Sequence, residues 1–282
     1  MEIDEKMISE HLKQSDKSRF LACLLMADNV RLPISVLYAF NAEISRIRDL
    51  IREPLPGEIR LQWWREVTSD NARKDEAVAN PLADGLNQVI DTYHINRDTF
   101  DGYCRSKIFD LYDDPMPDKA TYEGDCGETA SMLLQWCCQV IDADHANACA
   151  DASGHAGIAQ SVAGHLALLP LHISRGKIYI PNEILSEFDV DRDTFLKCAD
   201  KDKCRQVIEA FVAYGRDHLD KARKAAQGLS PELKQAYIPL ASVERVLNKA
   251  HSLGDKCFTT SVAPPAWLGQ WDLWRSQRKG MF

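Results

Sequence analysis

Several features that would point to a function directly are scarce or missing in this sequence. The 34 Lys and Arg residues are outnumbered by 42 Asp and Glu residues, which gives a formal net charge of -8. Because binding to a phosphate backbone draws on clustered Lys and Arg, we expect no nucleic-acid partner. The nine cysteines are odd in number and form no C-x-x-C pair, which argues against a zinc knuckle and against a disulfide framework.

Long apolar runs are also missing. No window approaches the roughly 18 consecutive apolar residues of a membrane-spanning helix. The N-terminal stretch MEIDEKMISEHLKQSDKSR is charged and has neither the apolar core of a signal peptide nor transit-peptide character. These absences predict a cytoplasmic protein in which most thiols are buried as small hydrophobic groups.

What the sequence does contain is helical periodicity. Leu37, Phe40, Ile44, Ile47 and Ile51 recur at steps of three and four, which is one apolar stripe of an amphipathic helix. Similar patterns follow along most of the chain without alternating strands. We therefore expect an all-α single domain over residues 1–282, with a candidate disordered segment at 1–18 and a Trp-rich tail at 266–282.

Turn and cap signals divide the predicted helices. Pro56 and Gly57 in EPLPGE are expected to form a turn that ends the first long helix. Asn80 is expected to cap a helix whose first position is Pro81. A later long helix is expected to be interrupted near Pro170. The segment KIYIPNEILSEFDV, residues 177–190, is the only strand-like piece.

Two helices carry a second organised face. Tyr38, Ala42, Ser45 and Asp49 recur at steps of four, three and four, on the side roughly opposite the apolar stripe. The same steps relate four residues of the later long helix that is interrupted near Pro170: Ser161, His165, Leu168 and His172. That helix is rich in Gly and Ala, which favours close helix packing or, alternatively, the close approach of a ligand.

The chain resembles the squalene/phytoene synthases, the head-to-head prenyltransferases. The resemblance runs from about Arg19 to the C-terminal region and is carried by LYAF (37–40), RLQWW (60–64), FDL (109–111), DCGETAS (125–131), GIAQ (157–160) and RGKIYIP (175–181). It implies an isoprenoid synthase fold, a helical bundle around a central cavity. It also implies two Asp-rich motifs that face each other across the cavity and hold Mg²⁺ against a diphosphate.

Most of the acids that the resemblance implies are absent from this sequence. The first motif's aspartate pair falls on Ser45 and Arg46, and only its last acid remains, as Asp49. The two metal-facing acids of the second motif fall on Leu168 and His172. One carboxylate cannot replace four, and imidazole is a poor ligand for Mg²⁺. We therefore expect no bound metal and name no catalytic residue.

Other positions that the resemblance aligns are partly changed. The family's tyrosine is kept as Tyr38, whereas its arginine falls on Ala42, its glutamine on Ser161 and its asparagine on Gly164. The former motif positions and their neighbours are expected to line a cavity or ligand site: Tyr38, Ala42, Ser45, Asp49, Ser161, Gly164, His165, Leu168 and His172.

The resemblance is greatest to a subgroup that has this loss and that includes the mitochondrial complex I assembly factor of this fold and its bacterial relatives. It implies a non-catalytic assembly or scaffold factor for respiratory complex I, the NADH dehydrogenase. The expected partners are complex I subunits or assembly intermediates, met on the inner side of the respiratory membrane. A lipid or quinone carrier is a second hypothesis, because a cavity for an isoprenoid or quinone-like lipid would survive the loss of the metal ligands.

An enzyme remains the alternative. A head-to-head prenyltransferase with an altered Mg²⁺ site could use Asp49, Asp110 and Asp114, provided that the last two point into the cavity. The simpler interpretation is that FDLYDDPMPD is an acidic surface loop and that Asp49 pairs with one of three nearby arginines, Arg46, Arg48 or Arg52. A metal site of His155, His165 and His172 is disfavoured because His155 points elsewhere.

The C-terminal stretch PPAWLGQWDLWRSQRKGMF combines tryptophans with basic residues. Trp267, Trp271 and Trp274 would share one side of a helix. They could complete the core or form a partner surface. We expect a peripheral membrane or partner contact, because tryptophan suits a wet apolar boundary and basic groups are drawn to anionic lipid.

Overall fold

The computed structural model describes residues 3–51, 53–69, 77–112 and 114–280. Regular secondary structure within these ranges is helical, and no strand is present there, which confirms the predicted all-α fold. The α-helices in chain order are α1 (Glu5–Ser15), α2 (Lys17–Leu24), α3 (Asp28–Leu50), α4 (Pro54–Thr68), α5 (Pro81–Thr92), α6 (Asp98–Phe109), α7 (Lys119–Cys126), α8 (Met132–Ile141), α9 (Ala150–Ala167), α10 (Leu169–Ser174), α11 (Asn182–Ser186), α12 (Arg192–Lys197), α13 (Lys201–Ala225), α14 (Val243–Leu253) and α15 (Ala266–Lys279). A π-helical segment, Gly127–Ser131, joins α7 to α8, and 3-10 segments lie at Ala146–Cys149, Ala226–Gly228, Leu233–Ser242 and Gly254–Phe258.

The apolar stripe of α3 forms as predicted. Leu37, Phe40, Ile44 and Ile47 are all buried. Phe40 packs its ring against aromatic side chains from α4, α6 and α8: Trp64, Phe100, Tyr103 and Trp136. Since aromatic side chains bury large areas at few rotamers, this cluster fixes the position of α3 relative to its neighbours.

The predicted cap of α5 is confirmed. The side chain of Asn80 accepts hydrogen bonds from the backbone N–H groups of Leu82 and Ala83, at 3.0 and 3.2 Å, and Pro81 occupies the first helical turn. The break near Pro170 is also present, because α9 ends at Ala167 and α10 begins two residues later.

The predicted turn at Pro56 and Gly57 is wrong. Helix α4 already begins at Pro54, which tolerates a first-turn position because its missing N–H has no helical acceptor there. Gly57 instead serves packing: a Cβ at this position would lie 2.6 Å from Cδ1 of Ile51 and 2.8 Å from Cδ1 of Leu111.

The strand-like segment at 177–190 does not form a strand. Residues 177–181 are irregular and are followed by α11. The segment has no neighbouring strand to pair with in the described part of the chain, and Lys177 anchors it instead. The Lys177 ammonium donates to the backbone carbonyls of Asp110 and Tyr112, at 2.5 and 2.9 Å.

The segment 1–18 differs from its predicted disorder over the residues that the structure describes. Asp4 accepts a hydrogen bond from the Met7 N–H at 3.0 Å and caps α1. Ile8 and Leu12 on α1 are fully buried against the core. The many charged residues of this stretch suggested disorder, but Ile8 and Leu12 lie four positions apart and so form one apolar face of α1. That face packs against the core.

None of the helices in the described ranges is both long enough and apolar enough to cross a membrane. All nine cysteines are free thiols, and all but Cys198 are buried, as the sequence predicted.

Candidate functional site

A cavity of about 480 Å³ lies where the two predicted helix faces meet. Its wall includes most of the residues that the sequence singled out as former motif positions and their neighbours: Ser45, Asp49, Ser161, Gly164, His165, Leu168 and His172. They come from the C-terminal half of α3 and from α9 and α10. The volume falls within the range of small-molecule sites in proteins.

Tyr38 and Ala42 are not part of the cavity wall. Both are buried, with Tyr38 fully inaccessible, because α3 runs through the core from Val30 to Ala42. Among the described residues, the Tyr38 hydroxyl makes no hydrogen bond of standard geometry, and the guanidinium of Arg19 lies 5.4 Å from the centre of its ring. Burial, together with Cys137 and Cys23, raises the pKa of Tyr38 well above its ordinary value. The structure therefore does not bring these two residues to the described cavity wall.

Asp49 lies at the exposed end of the cavity and pairs with an arginine. Its carboxylate is 2.5 Å from the guanidinium of Arg175, which follows α10. The sequence proposed Arg46, Arg48 or Arg52 as partners, of which Arg52 lies outside the described residues. The sequence thus predicted an ion pair for Asp49, but its partner is Arg175, which lies on the other side of the cavity.

The floor of the cavity includes a partly buried ion pair. The Lys107 ammonium lies 3.0 Å from the carboxylate of Asp110. Burial alone would raise the pKa of Asp110, but the charge of Lys107 outweighs it and lowers the pKa below its ordinary value. The neighbouring carboxyl of Asp125 has its pKa raised to about 6, chiefly by burial.

Two histidines and a tyrosine form the opposite wall. The rings of His165 and Tyr179 stack at 4.4 Å, and His172 lies 4.7 Å from Tyr179. Nδ1 of His165 is 3.0 Å from the hydroxyl of Tyr122. Burial, and then the mutual influence of the imidazoles, lowers the pKa of His165 to about 3. Burial, and then Arg175, lowers the pKa of His172 to about 4, so both rings are neutral at pH 7.

His155 lies elsewhere, as predicted. Its Nδ1 is 3.0 Å from Nδ1 of His218 on α13. Within the described ranges, no three or more His, Cys, Asp or Glu side chains are grouped so that they could hold a metal ion.

The residues at the former motif positions do not fit the magnesium ions that the family's chemistry requires. Mg²⁺ prefers several hard oxygen ligands in octahedral geometry. Ser45 and Asp49 supply the α3 side, and the Asp49 carboxylate is already held by Arg175. Leu168 and His172 supply the other side, with one aliphatic group and one neutral imidazole. No step through a metal ion follows from this donor set.

Asp114 does not join the cavity. It contributes to a separate small depression with Tyr112 and Arg192, whereas Asp110 lies at the boundary of both. The prenyltransferase hypothesis required both carboxylates inside the cavity, and only Asp110 is there. That carboxylate is engaged by Lys107.

Basic groups dominate the charge of the cavity wall. Of the residues that the structure describes, five basic side chains line it against three acidic ones: Arg19, Arg48, Lys107, Arg175 and Lys177, with Asp16, Asp49 and Asp110. Apolar surface from α3, α4 and the α9–α10 region fills much of the remaining wall. Sequence reasoning missed Arg19 and Lys107, because no local spacing shows that α2 and α6 contribute to the same cavity.

The Gly/Ala-rich face of α9 packs closely on a neighbouring segment and also reaches the cavity wall. At Gly157 a Cβ would lie 2.4 Å from the backbone nitrogen of Ser131, so α9 packs directly on the π-helical segment. The hydroxyl of Ser131 donates to the Gly154 carbonyl at 3.0 Å across the same contact. Gly164 lines the cavity, and a Cβ there would meet nothing within 4 Å.

Comparison with known families gives a match over most of the chain. The squalene/phytoene synthase family model matches residues 12–275. The human NADH dehydrogenase (ubiquinone) complex I, assembly factor 6, is 26% identical over 263 residues, which cover 90% of this chain and 75% of that protein. Its Drosophila melanogaster homolog is 22% identical over 252 residues, which cover 84% and 72% of the two chains.

Solved structures share the same fold. A dehydrosqualene synthase in complex with a ligand superposes with a TM-score of 0.78 at 14% identity, covering 98% of this chain and 95% of that one. A squalene synthase from Alicyclobacillus acidocaldarius gives a TM-score of 0.68 at 16% identity, with coverage of 99% and 95%. At these identities the likeness shows the fold alone.

Proposed function

The chain belongs to the squalene/phytoene synthase family. We propose that it does not catalyse prenyl transfer and that it acts as an assembly factor for respiratory complex I, the NADH dehydrogenase. The helical fold would be kept as a scaffold, and the metal-dependent chemistry would be lost. The partners would be complex I subunits or assembly intermediates. The protein would meet them from the cytoplasmic side, at the inner face of the respiratory membrane.

The donor set of the cavity carries this proposal. Where two opposed carboxylate motifs are needed, the cavity presents a single carboxylate from α3, and Arg175 holds that group at 2.5 Å. On the opposite wall Leu168 is an aliphatic group, and the pKa of about 4 keeps His172 neutral. A diphosphate leaving group would find no magnesium there to neutralise its developing charge.

The names of the relatives support the part of the proposal that concerns complex I. Proteins from human and Drosophila that align with most of this chain are called complex I assembly factor 6. Their shared name supports a role beside complex I for this chain.

The cavity supports a lipid ligand as a second part of the proposal. Apolar side chains line much of the wall, with the ion pair of Lys107 and Asp110 at one end. A chain of isoprenoid units would fit the apolar part, and the polar end would accept the headgroup of an isoprenoid or a quinone-like lipid. Such a ligand would be held without Mg²⁺.

Prenyl transfer with an altered metal site is the competing function. It requires a carboxylate cluster. Asp114 lies outside the cavity wall, and the ionised carboxylate of Asp110 is already paired with the Lys107 ammonium. No observation favours it over the assembly role.

The assembly role is tested by deleting the gene in its own host. Native gel electrophoresis should show loss of assembled complex I with the other respiratory complexes unchanged. Reintroduced wild-type protein should restore complex I, and so should an Asp49→Asn variant, because the proposal gives that carboxylate no catalytic duty. Normal complex I in the deletion strain would refute the assembly role.

The absence of prenyl transfer is tested with the purified protein. Incubation with farnesyl or geranylgeranyl diphosphate and Mg²⁺ should give no hydrocarbon product, and mass spectrometry of an organic extract should identify a co-purified isoprenoid or quinone. Formation of squalene, phytoene or a related product would overturn the proposal. An empty extract would refute the lipid ligand alone.

A further inference from the structure

The outward side of α15 carries three exposed tryptophans. The exposed fractions of Trp267, Trp271 and Trp274 are 69%, 52% and 39%. At about 100° per residue, these three residues and Arg278 fall within one stripe of roughly 60° on the helix surface. The rings of Trp271 and Trp274 lie 5.0 Å apart, and the guanidinium of Arg278 lies 4.2 Å from the centre of the Trp274 ring. These four residues are called the tryptophan face below. They do not complete the core, which was the alternative that the sequence left open.

The opposite side of α15 is firmly docked. Asp272 and Leu273 are buried against the body of the protein. Arg245 on α14 donates two hydrogen bonds to the Asp272 carboxylate, at 2.7 and 2.6 Å, and the hydroxyl of Ser242 adds a third at 3.1 Å. Bidentate pairing of this kind fixes orientation as well as position. The tryptophans are therefore exposed on a fixed helix.

Basic side chains flank the tryptophan face on both sides. The groove on one side of α15 is lined by Arg223, Arg245, Arg275 and Lys279, and its two acids, Glu244 and Asp272, are each paired with an arginine. The groove on the other side is lined by Lys234 together with Arg278 and Lys279 of α15 itself, and none of its described lining residues is an acid. A basic region of this kind stands out in a chain whose formal net charge is -8.

We propose that the tryptophan face binds the surface of an anionic lipid bilayer, with α15 lying parallel to that surface. Indole rings have an apolar body and an N–H that suits the headgroup boundary. The flanking arginines and lysines would meet lipid phosphates, to which basic groups are attracted. The acidic remainder of the chain would be repelled by the same surface, so that only this side faces the lipid. The inference does not depend on the proposed assembly role.

A vesicle titration with the full-length protein tests the surface. Tryptophan fluorescence and co-sedimentation should show binding to vesicles of phosphatidylcholine mixed with phosphatidylglycerol, and much weaker binding to phosphatidylcholine alone. Raising the salt from about 0.1 M to about 1 M should weaken binding, because the Debye length falls from about 10 to about 3 Å. Each basic group near such a surface changes affinity by about fivefold, so replacing Arg275, Arg278 and Lys279 with Gln should weaken binding by about a hundredfold.

Two further variants distinguish vesicle binding by the tryptophan face from binding by basic residues elsewhere on the protein. Replacing Trp267, Trp271 and Trp274 with Ser should abolish vesicle binding and leave the melting temperature nearly unchanged, since the rings are exposed. The matched control replaces Lys197, Lys201 and Lys256 with Gln. All three lysines are exposed. Lys201 begins α13 and lies about 33 Å along that helix from Arg223, whereas Lys197 ends α12 and Lys256 lies in the 3-10 segment Gly254–Phe258. Binding should stay at the wild-type level.

Three outcomes would overturn the inference. The first is no binding of the wild-type protein to anionic vesicles at low salt. The second is equal loss of binding in the control lysine variant. The third is a concentration-dependent dimer that the tryptophan variant abolishes while vesicles are ignored, because the face would then bind a second copy of the chain.

Discussion

The carboxylate of Asp49 lies 2.5 Å from the guanidinium of Arg175, although the two residues are 126 positions apart in the sequence. This ion pair connects the end of α3 to the residue that follows α10, across the mouth of the cavity. The remaining acid of the first motif thus has a cationic side chain as its partner where the family's chemistry would place a metal ion.

Magnesium binding is expected to be weak and to depend on the missing acids. We predict that isothermal titration calorimetry will detect no micromolar Mg²⁺ binding by the wild-type protein. A variant with Asp at Ser45, Arg46, Leu168 and His172 is expected to bind Mg²⁺ more tightly, because four hard ligands are restored around the cavity. Adding Asp49→Asn to that variant should weaken binding again. Equal affinity with and without the Asp49 carboxylate would contradict a site at the cavity.

The stability of the protein is expected to fall in acid because of the cavity histidines. The folded-state pKa values of His165 and His172, about 3 and about 4, lie below the ordinary value of 6.5. The unfolded chain therefore binds more protons between these limits, and the free energy of unfolding decreases as the pH falls from about 6.5 towards 4. His165→Asn should reduce that slope by up to about 1.4 kcal/mol per pH unit. Urea unfolding at a series of pH values measures this slope of the free energy of unfolding against pH.

A matched control for the acid experiment is the exposed His251 at the end of α14. His251→Asn should keep the wild-type slope, because the ring of His251 is exposed to solvent and lies outside the cavity wall. If His165→Asn and His251→Asn change the slope equally, the buried imidazole is not its source.

Packing between α9 and the π-helical segment should tolerate no added methyl group. Gly157→Ala would place a Cβ 2.4 Å from the Ser131 backbone nitrogen, so the helices must separate. We expect a loss of about 1–3 kcal/mol or more in the free energy of unfolding. Gly164→Ala on the same helix meets nothing within 4 Å and should gain up to about 1 kcal/mol. Chemical denaturation measures the free energy of unfolding of both variants. If both lose a similar amount, the close contact at Gly157 is absent.

A buried hydrogen bond should contribute measurably to the core beside the cavity. The Tyr103 hydroxyl donates to the side-chain oxygen of Asn41 at 2.6 Å, and both residues are buried. Tyr103→Phe leaves that oxygen without its donor and should cost about 1–3 kcal/mol in urea unfolding. Tyr112, whose hydroxyl bonds Glu58 at the surface, is the control. Tyr112→Phe should cost less than about 0.5 kcal/mol, and an equal cost would mean that burial has little effect.

Local patterns predicted the helices well, because they depend on short spacings. The buried stripe of α3 follows from apolar residues at steps of three and four, and the cap of α5 follows from the Asn80–Pro81 pair. The turn at Pro56 and Gly57 was predicted wrongly, since proline and glycine are also accepted in the first turn of a helix. Only the contact of Gly57 with Ile51 and Leu111 explains that glycine.

The composition of the site was less predictable, because it depends on distant parts of the chain. Spacing placed Ser161, His165, Leu168 and His172 on one face, and all four line the cavity. No local signal shows that Lys107 lies beneath them. The sequence also does not show how deeply α3 is buried in the core. It therefore places Tyr38 in the cavity wall, whereas the structure buries that side chain in the core. Periodicity likewise grouped the three tryptophans of α15, but the Arg245–Asp272 pair determines which side faces outward.

The 3-10 segment Leu233–Ser242 touches two distant parts of the protein. Pro239 lines the cavity, and the segment packs against α15, to which Ser242 also donates a hydrogen bond through Asp272. A contact made by α15 would therefore set the direction in which the cavity mouth points. On a flat lipid sheet the molecule could still turn about the membrane normal, but it could not tip. Every copy would then present its opening at the same height and inclination to a neighbouring membrane complex.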